Sequence, residues 1–205
     1  LSIPLGINIA KTNDSSIHGN AAISDYVYSY EKARRVADYV TINISCPNTG
    51  EGKTFEDPDI LKSLLDEINP SGNSVPTLVK FSVDTEIKAL RKLVEICESF
   101  NIDGYVATNT SSQREYLNTK SSILSSIGNG GLSGSAISVK SDEVVSNLYA
   151  MLKGSKPIIG VGGVDSIESA QRKVDAGADL LQIYTGLVYE GPGLIRKLKN
   201  GVNFR

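Results

Sequence analysis

Six short apolar runs, separated by stretches of helical periodicity, constrain this chain more than any other feature. The runs are LGINIA (5–10), YVTINIS (39–45), TLVKFSV (77–83), GYVATN (104–109), PIIGVG (157–162) and DLLQIYT (179–185). They are nearly continuous rather than alternating, the pattern of strands buried on both faces. Residues 57–69 open with Asp57-Pro58, an N-cap followed by proline at the first helical position. They set Ile60, Leu61, Leu64, Leu65 and Ile68 on one face. Residues 86–100 do the same with Ile87, Leu90, Leu93, Val94 and Cys97, and residues 165–176 begin with Asp165 and Glu168 in capping-box style and stop before Gly177. Strands alternating with helices predict a parallel sheet covered by helices.

Two architectures accommodate six such units: an open doubly wound sheet, or an eight-stranded β/α barrel short of its first two units. The polar residues favour the barrel. They fall at the C-terminal ends of the strands: Asn8 and Lys11, Asn43 to Asn48, Asn109-Thr110, Gly162-Gly163 and Tyr184-Thr185-Gly186. Barrel active sites are built at that end. The chain also enters a strand almost at once after Leu1. We therefore expect a (β/α)8 TIM barrel, of which residues 1–205 supply about six units as one partial domain, with an N-terminal portion preceding Leu1. The longest loop, 108–136, is expected to be a binding loop or lid.

Bulk properties exclude several classes. The net charge is −2, so no basic surface points to nucleic acid, and no apolar run is long enough to cross a bilayer. Two cysteines are too few for a disulfide framework and fit a reducing, intracellular compartment. No signal peptide is visible at this end, and no second Cys or His gives metal-ligand spacing, so no metal site is expected.

The chemistry-bearing residues are few. GVGGVDSIESA places two glycines between a strand and a capped helix, where backbone N–H groups can cradle a phosphate. IYTG at the next strand end can supply a second set, as in the paired phosphate loops of such barrels. A tight turn is the alternative. The third glycine of a dinucleotide fingerprint is absent. Lys80 lies inside an apolar run, where it either faces an anionic ligand or reaches the rim. Asn8, Asn43, Asn48 and Asn109 are amides at strand ends, able to donate and accept toward a heterocycle or carboxylate. Cys97 sits among leucines and reads as a small core residue. Cys46 ends a strand among polar groups. A cysteine–histidine hydrolase pair with His18 is formally possible, but a general acid/base thiol better accommodates the cradle and Lys80.

LGINIAK, DYVTINISCPNT, VKFSVD, IDGYVATNT, GGLSG, PIIGVGGVDS and AGADLLQIYTGLVYEGP, in this order, resemble the dihydroorotate dehydrogenase family over nearly the whole chain. The combination is specific, whereas VGG and YTG alone occur across phosphate-binding barrels. The resemblance implies an FMN-holding barrel that oxidises (S)-dihydroorotate to orotate in de novo pyrimidine biosynthesis. It implies FMN contacts by Asn8, Asn43, Lys80, Thr108, Ser133, Gly134, Gly162, Gly163, Tyr184 and Thr185. Asn43, Asn48, Asn109 and Thr110 would hold the substrate, and Cys46 would be the catalytic base.

The pattern is most similar to the quinone-reducing class, which implies a quinone acceptor and peripheral contact with an inner membrane through an extension before Leu1. That class normally carries serine as base. Cysteine is typical of the soluble class, which uses fumarate or NAD, so a soluble cytoplasmic enzyme is the alternative. A non-redox phosphate-binding barrel, an isomerase or aldolase, and a catalytically inactive flavin-binding homologue are the competing functions.

Overall fold

Each apolar run is longer than the strand it forms, because its last residues turn away into the loops at the barrel mouth. The computed structural model describes residues 3–45, 55–72, 74–115, 117–128 and 130–204. Within them the strands are β1 (Gly6–Ile9), β2 (Tyr39–Asn43), β3 (Thr77–Phe81), β4 (Gly104–Ala107), β5 (Ile158–Val161) and β6 (Leu180–Gln182). β5 stops at Val161 because Gly162 and Gly163 adopt φ of 122° and 73°, outside extended geometry.

The sheet order is β1-β2-β3-β4-β5-β6, and every pairing is parallel. A doubly wound sheet reverses its order at a switch point. This one never does. With right-handed crossovers, sequential order puts every helix on one face, and the sheet curls around the other. The result is a partial (β/α)8 barrel, open between β1 and β6 among the described residues.

The helices are α1 (Asn20–Ala33), α2 (Pro58–Ile68), α3 (Ile87–Ser99), α4 (Ser121–Ile127), α5 (Ser138–Leu152), α6 (Ile167–Asp175), α7 (Thr185–Glu190) and α8 (Gly193–Gly201). α2 starts as its sequence requires: Asp57 Oδ1 accepts the N–H groups of Asp59 and Ile60, and Pro58 occupies the first turn. The main core lies between the helices and the outward strand residues, with Leu61, Leu64, Leu65, Leu90, Leu93 and Cys97 packed against Val40, Ile42, Val79 and Phe81. Burial pushes the Cys97 thiol pKa up, so it stays an inert core residue. Strand periodicity turns the alternate residues inward, where Leu78, Val106 and Ile159 form a second cluster. Lys80 is two residues beyond Leu78 and shares that inner face, nearer the mouth.

Two local expectations are corrected. α6 is capped by Ser166, not by Asp165 with Glu168: Ser166 Oγ accepts the Ser169 N–H at 3.2 Å, and Ser169 Oγ accepts the Ser166 N–H at 3.0 Å. Ile87, placed on the buried face by its spacing, is 48% exposed because it begins α3 beyond the reach of α2 and α5. The 108–136 loop holds α4 and an antiparallel bridge between Ser111 and Leu132, so it folds back on itself. α1 had no clear signature because two of its core residues are tyrosines. Tyr26 and Tyr30 are fully buried, and their hydroxyls reach the Asn43 carbonyl and Thr77 Oγ1. Among the described residues no helix is long and apolar enough to cross a membrane.

Candidate active site at the barrel mouth

Five strand ends converge on one cleft of about 480 Å³. It is lined by Asn8 from β1, Lys80 from β3, Thr108, Asn109 and Thr110 after β4, and Gly162 and Gly163 after β5. Ser133 and Gly134 close it from the long loop, and Tyr184 and Thr185 close it from the far side. These residues come from positions up to 177 apart (8 to 185) in the chain. Cys46 and Asn48 lie outside the described residues.

The amides meet in space. Asn43 ends β2 in register with Lys80 of β3. Its Oδ1 accepts Ser45 Oγ at 2.8 Å and Asn109 Nδ2 at 3.2 Å. Asn109 Nδ2 also lies 3.3 Å from the Ser45 carbonyl, and Asn109 Oδ1 accepts the Thr110 N–H at 2.9 Å. Asn43 does not line the cleft; it reaches it through Asn109. The loop carrying these groups is tethered from β3. Asp84 accepts Ser111 Oγ at 2.7 Å, the Ser112 N–H at 2.8 Å and Ser112 Oγ at 3.1 Å.

Lys80 is half-buried, and among the described residues its side chain makes no ion pair or hydrogen bond. Burial lowers its pKa from the ordinary lysine value. A desolvated cation of this kind attracts an anion or an electron-rich ring. Glu56, just before α2, has its pKa raised by burial, while accepting the Ser82 N–H at 2.7 Å and Thr85 Oγ1 at 2.8 Å.

The glycine loop is packed tightly from behind. A Cβ on Gly163 would stand 2.5 Å from Ser138 Cβ, and one on Gly162 would stand 2.9 Å from Ser141 Oγ. α7 approaches the same loop so closely that a Cβ on Gly186 would overlap the Val164 carbonyl. Thr185 opens α7 rather than ending a strand, and its Oγ1 donates to Ser133 Oγ at 3.0 Å. Tyr184 is 79% exposed.

Sequence reasoning missed Gln182, Ile183 and Gly131, which also line the cleft. Gln182 had a legible signal: a polar residue inside an apolar run, as for Lys80. Gly131 had none, since its role is the close approach of Thr110 Oγ1, from 21 residues earlier (131 − 110).

A family profile described as "Dihydroorotate dehydrogenase" matches residues 2–205. A "Dihydroorotate dehydrogenase (quinone)" of Trichodesmium erythraeum (strain IMS101) is 38% identical over 207 residues, covering 97% of this chain and 53% of that protein. One of Legionella pneumophila (strain Corby) is also 38% identical over 207 residues, covering 97% of this chain and 61% of its own length. The crystal structure of DHODH from Eimeria tenella in complex with ferulenol superimposes with a TM-score of 0.82 at 28% identity, over 96% of this chain and 56% of that one. The chain thus spans between half and two thirds of the length of these relatives.

Proposed function

Because the chain belongs to the dihydroorotate dehydrogenase family, we propose that it forms the cofactor- and substrate-holding mouth of an enzyme that oxidises dihydroorotate to orotate with bound FMN. The observation that carries this reading is Lys80, a partly desolvated cation without a protein partner among the described residues, sharing one cleft with a glycine loop and a pair of amides.

The cleft fits the cofactor. Its volume of about 480 Å³ falls within the usual range for small-molecule sites. Gly162 and Gly163 expose backbone toward it, with Ser133 and Thr185 alongside, a donor set suited to a phosphate. Asn8 and Lys80, which line the same cleft, would hold the isoalloxazine ring. Bound there, FMN supplies the two-electron acceptor for a hydride leaving C6 of the substrate.

The chain's own residues bind, orient and deprotonate. Asn43, Asn109 and Thr110, with Asn48, hold the pyrimidine and its carboxylate. Cys46 takes the proton from C5, so the C5–H electron pair becomes the new C5=C6 bond as hydride departs from C6. A free thiol has a pKa of about 8.5, so a small thiolate fraction is available at neutral pH. Lys80 offsets negative charge that builds on the ring. A quinone, the acceptor named for the relatives, would serve as the final oxidant, and a peripheral membrane location is part of the same proposal. Cysteine at position 46 favours a second reading, a soluble acceptor such as fumarate or NAD; turnover with a short-chain quinone against either separates the two.

The test is anaerobic stopped-flow on the full-length protein. It should carry a yellow flavin, released on denaturation as the mononucleotide and bleached by dihydroorotate. Cys46→Ala should slow bleaching by about 10² or more, the scale of a general base. Cys46→Ser should keep part of the rate, with its pH profile displaced upward. A colourless protein would favour an isomerase or aldolase, a flavin that dihydroorotate does not bleach would favour an inactive homologue, and unslowed Cys46→Ala would remove Cys46 as base.

A further inference from the structure

The most deeply buried charge among the described residues lies behind the cleft, not in it. Lys173 of α6 has 0% exposure. Its stem lies flat against β5: a Cβ on Gly160 would stand 2.5 Å from Lys173 Cγ and 2.9 Å from Cδ. Its Nζ lies 2.5 Å from Asp142 Oδ1 and donates to Ser141 Oγ at 2.9 Å. Ser141 Oγ in turn donates to the Val161 carbonyl at 2.8 Å, which also accepts the Thr108 N–H at 2.7 Å.

The direction of this chain is set by Lys173. An ammonium only donates, and a hydroxyl has one proton. With Lys173 donating to its oxygen, Ser141 must send that proton to Val161. The Val161–Gly162 peptide is planar and trans, so its N–H points opposite to its carbonyl. The carbonyl faces β4 and α5; the Gly162 N–H therefore faces β6, where Gln182 is in register with Val161, so this peptide is held from both sides where the glycine loop begins. Hydrogen bonds in series polarise one another in a low-dielectric interior, so the chain from Lys173 through Ser141 fixes the plane of this peptide and with it the direction in which Gly162 and Gly163 leave the strand. A role as helix glue explains the arrangement poorly, because well-packed apolar residues serve as well as or better than a buried ion pair.

We propose that Lys173, acting through Ser141 on the Val161–Gly162 peptide, is a positioning residue that holds the Gly162–Gly163 cradle in place for the phosphate of bound FMN. This rests on the FMN reading above, and the phosphate offers a way to test it apart from turnover.

The experiment compares FMN with riboflavin, which lacks the phosphate, on full-length protein stripped of its flavin. Binding is followed by flavin fluorescence for the parent, Ser141→Ala and Lys173→Met. The parent should prefer FMN strongly. In both variants that preference should fall by about tenfold, the worth of one good hydrogen bond, with riboflavin affinity unchanged within about twofold. Ser141→Ala leaves the Lys173–Asp142 pair in place, so it carries the test if Lys173→Met does not fold. An unchanged FMN preference in Ser141→Ala, or parallel weakening of both ligands, overturns the proposal, because packing alone would act on both. A parent that binds FMN no better than riboflavin, or binds neither, overturns the FMN reading itself.

Discussion

Replacing Gly163 by alanine tests whether the loop after β5 is held in place by α5. Gly163 has φ 73°, a region where an L-residue costs about 1–2 kcal/mol. The added Cβ would stand 2.5 Å from Ser138 Cβ and 2.7 Å from Ser138 Cα. The second neighbour is helix backbone and cannot yield by changing rotamer. Overpacking of this kind costs about 1–3 kcal/mol. Together the loss is about 2–5 kcal/mol, unless the loop moves, in which case stability recovers and the cradle is lost. Gly154 provides the comparison. Its φ is 76°, but a Cβ there would meet only Tyr149 Cε2, at 3.9 Å. Gly154→Ala should therefore show the strain alone, about 1–2 kcal/mol. Urea unfolding of the flavin-free variants, with FMN affinity measured alongside, separates the two terms. Gly163→Ala should be at least about 1 kcal/mol less stable than Gly154→Ala, or bind FMN at least about tenfold more weakly than the parent. If it matches Gly154→Ala in stability and the parent in FMN affinity, the packing argument is wrong.

Further outcomes follow from the charges and amides of the mouth. Burial holds the Lys80 pKa below the ordinary lysine value, so its destabilising contribution is full below the folded pKa and gone above the unfolded value of about 10.4. Lys80→Met should thus raise the Tm of flavin-free protein at neutral pH while weakening FMN retention; a lower Tm with unchanged flavin content would contradict both halves. Burial raises the Glu56 pKa, so its contribution is largest below the unfolded value of about 4.3 and is lost as pH rises through the folded pKa. Glu56→Gln keeps an acceptor for Ser82 and Thr85, and its unfolding free energy should lack that decline as pH rises above the unfolded value; an identical pH profile would show that Glu56 does not cause it. Asn109→Ala removes the contacts to Asn43 and Ser45 and should raise KM for dihydroorotate by about tenfold with flavin content intact, whereas an unchanged KM would place the substrate elsewhere.

Wherever the deciding interaction is local, the sequence was sufficient. Strand and helix alternation, the buried faces of α2 and α3, and the Asp57-Pro58 start depend on spacings of one to four residues, and periodicity reports those directly. The same locality made Lys80 conspicuous, because a cation between Val79 and Phe81 violates the pattern of its own strand. Even there the limit is visible: Ser166 won the α6 cap over Asp165 because Ser169 could return the hydrogen bond.

Tertiary structure decided whatever joins distant segments. Barrel and doubly wound sheet share one alternating pattern, and only the sequential strand order separates them. Asn43 and Asn109 are 66 residues apart, yet meet because β2 and β4 flank β3 and their ends point the same way. Lys173 stands in QRKVD, where a lysine reads as solvent-facing, but that turn of α6 packs onto Gly160, Ser141 and Asp142 from two other elements. Side-chain periodicity encodes which face of an element is buried; which groups meet across that face depends on strand order and register, and no short window of sequence contains either.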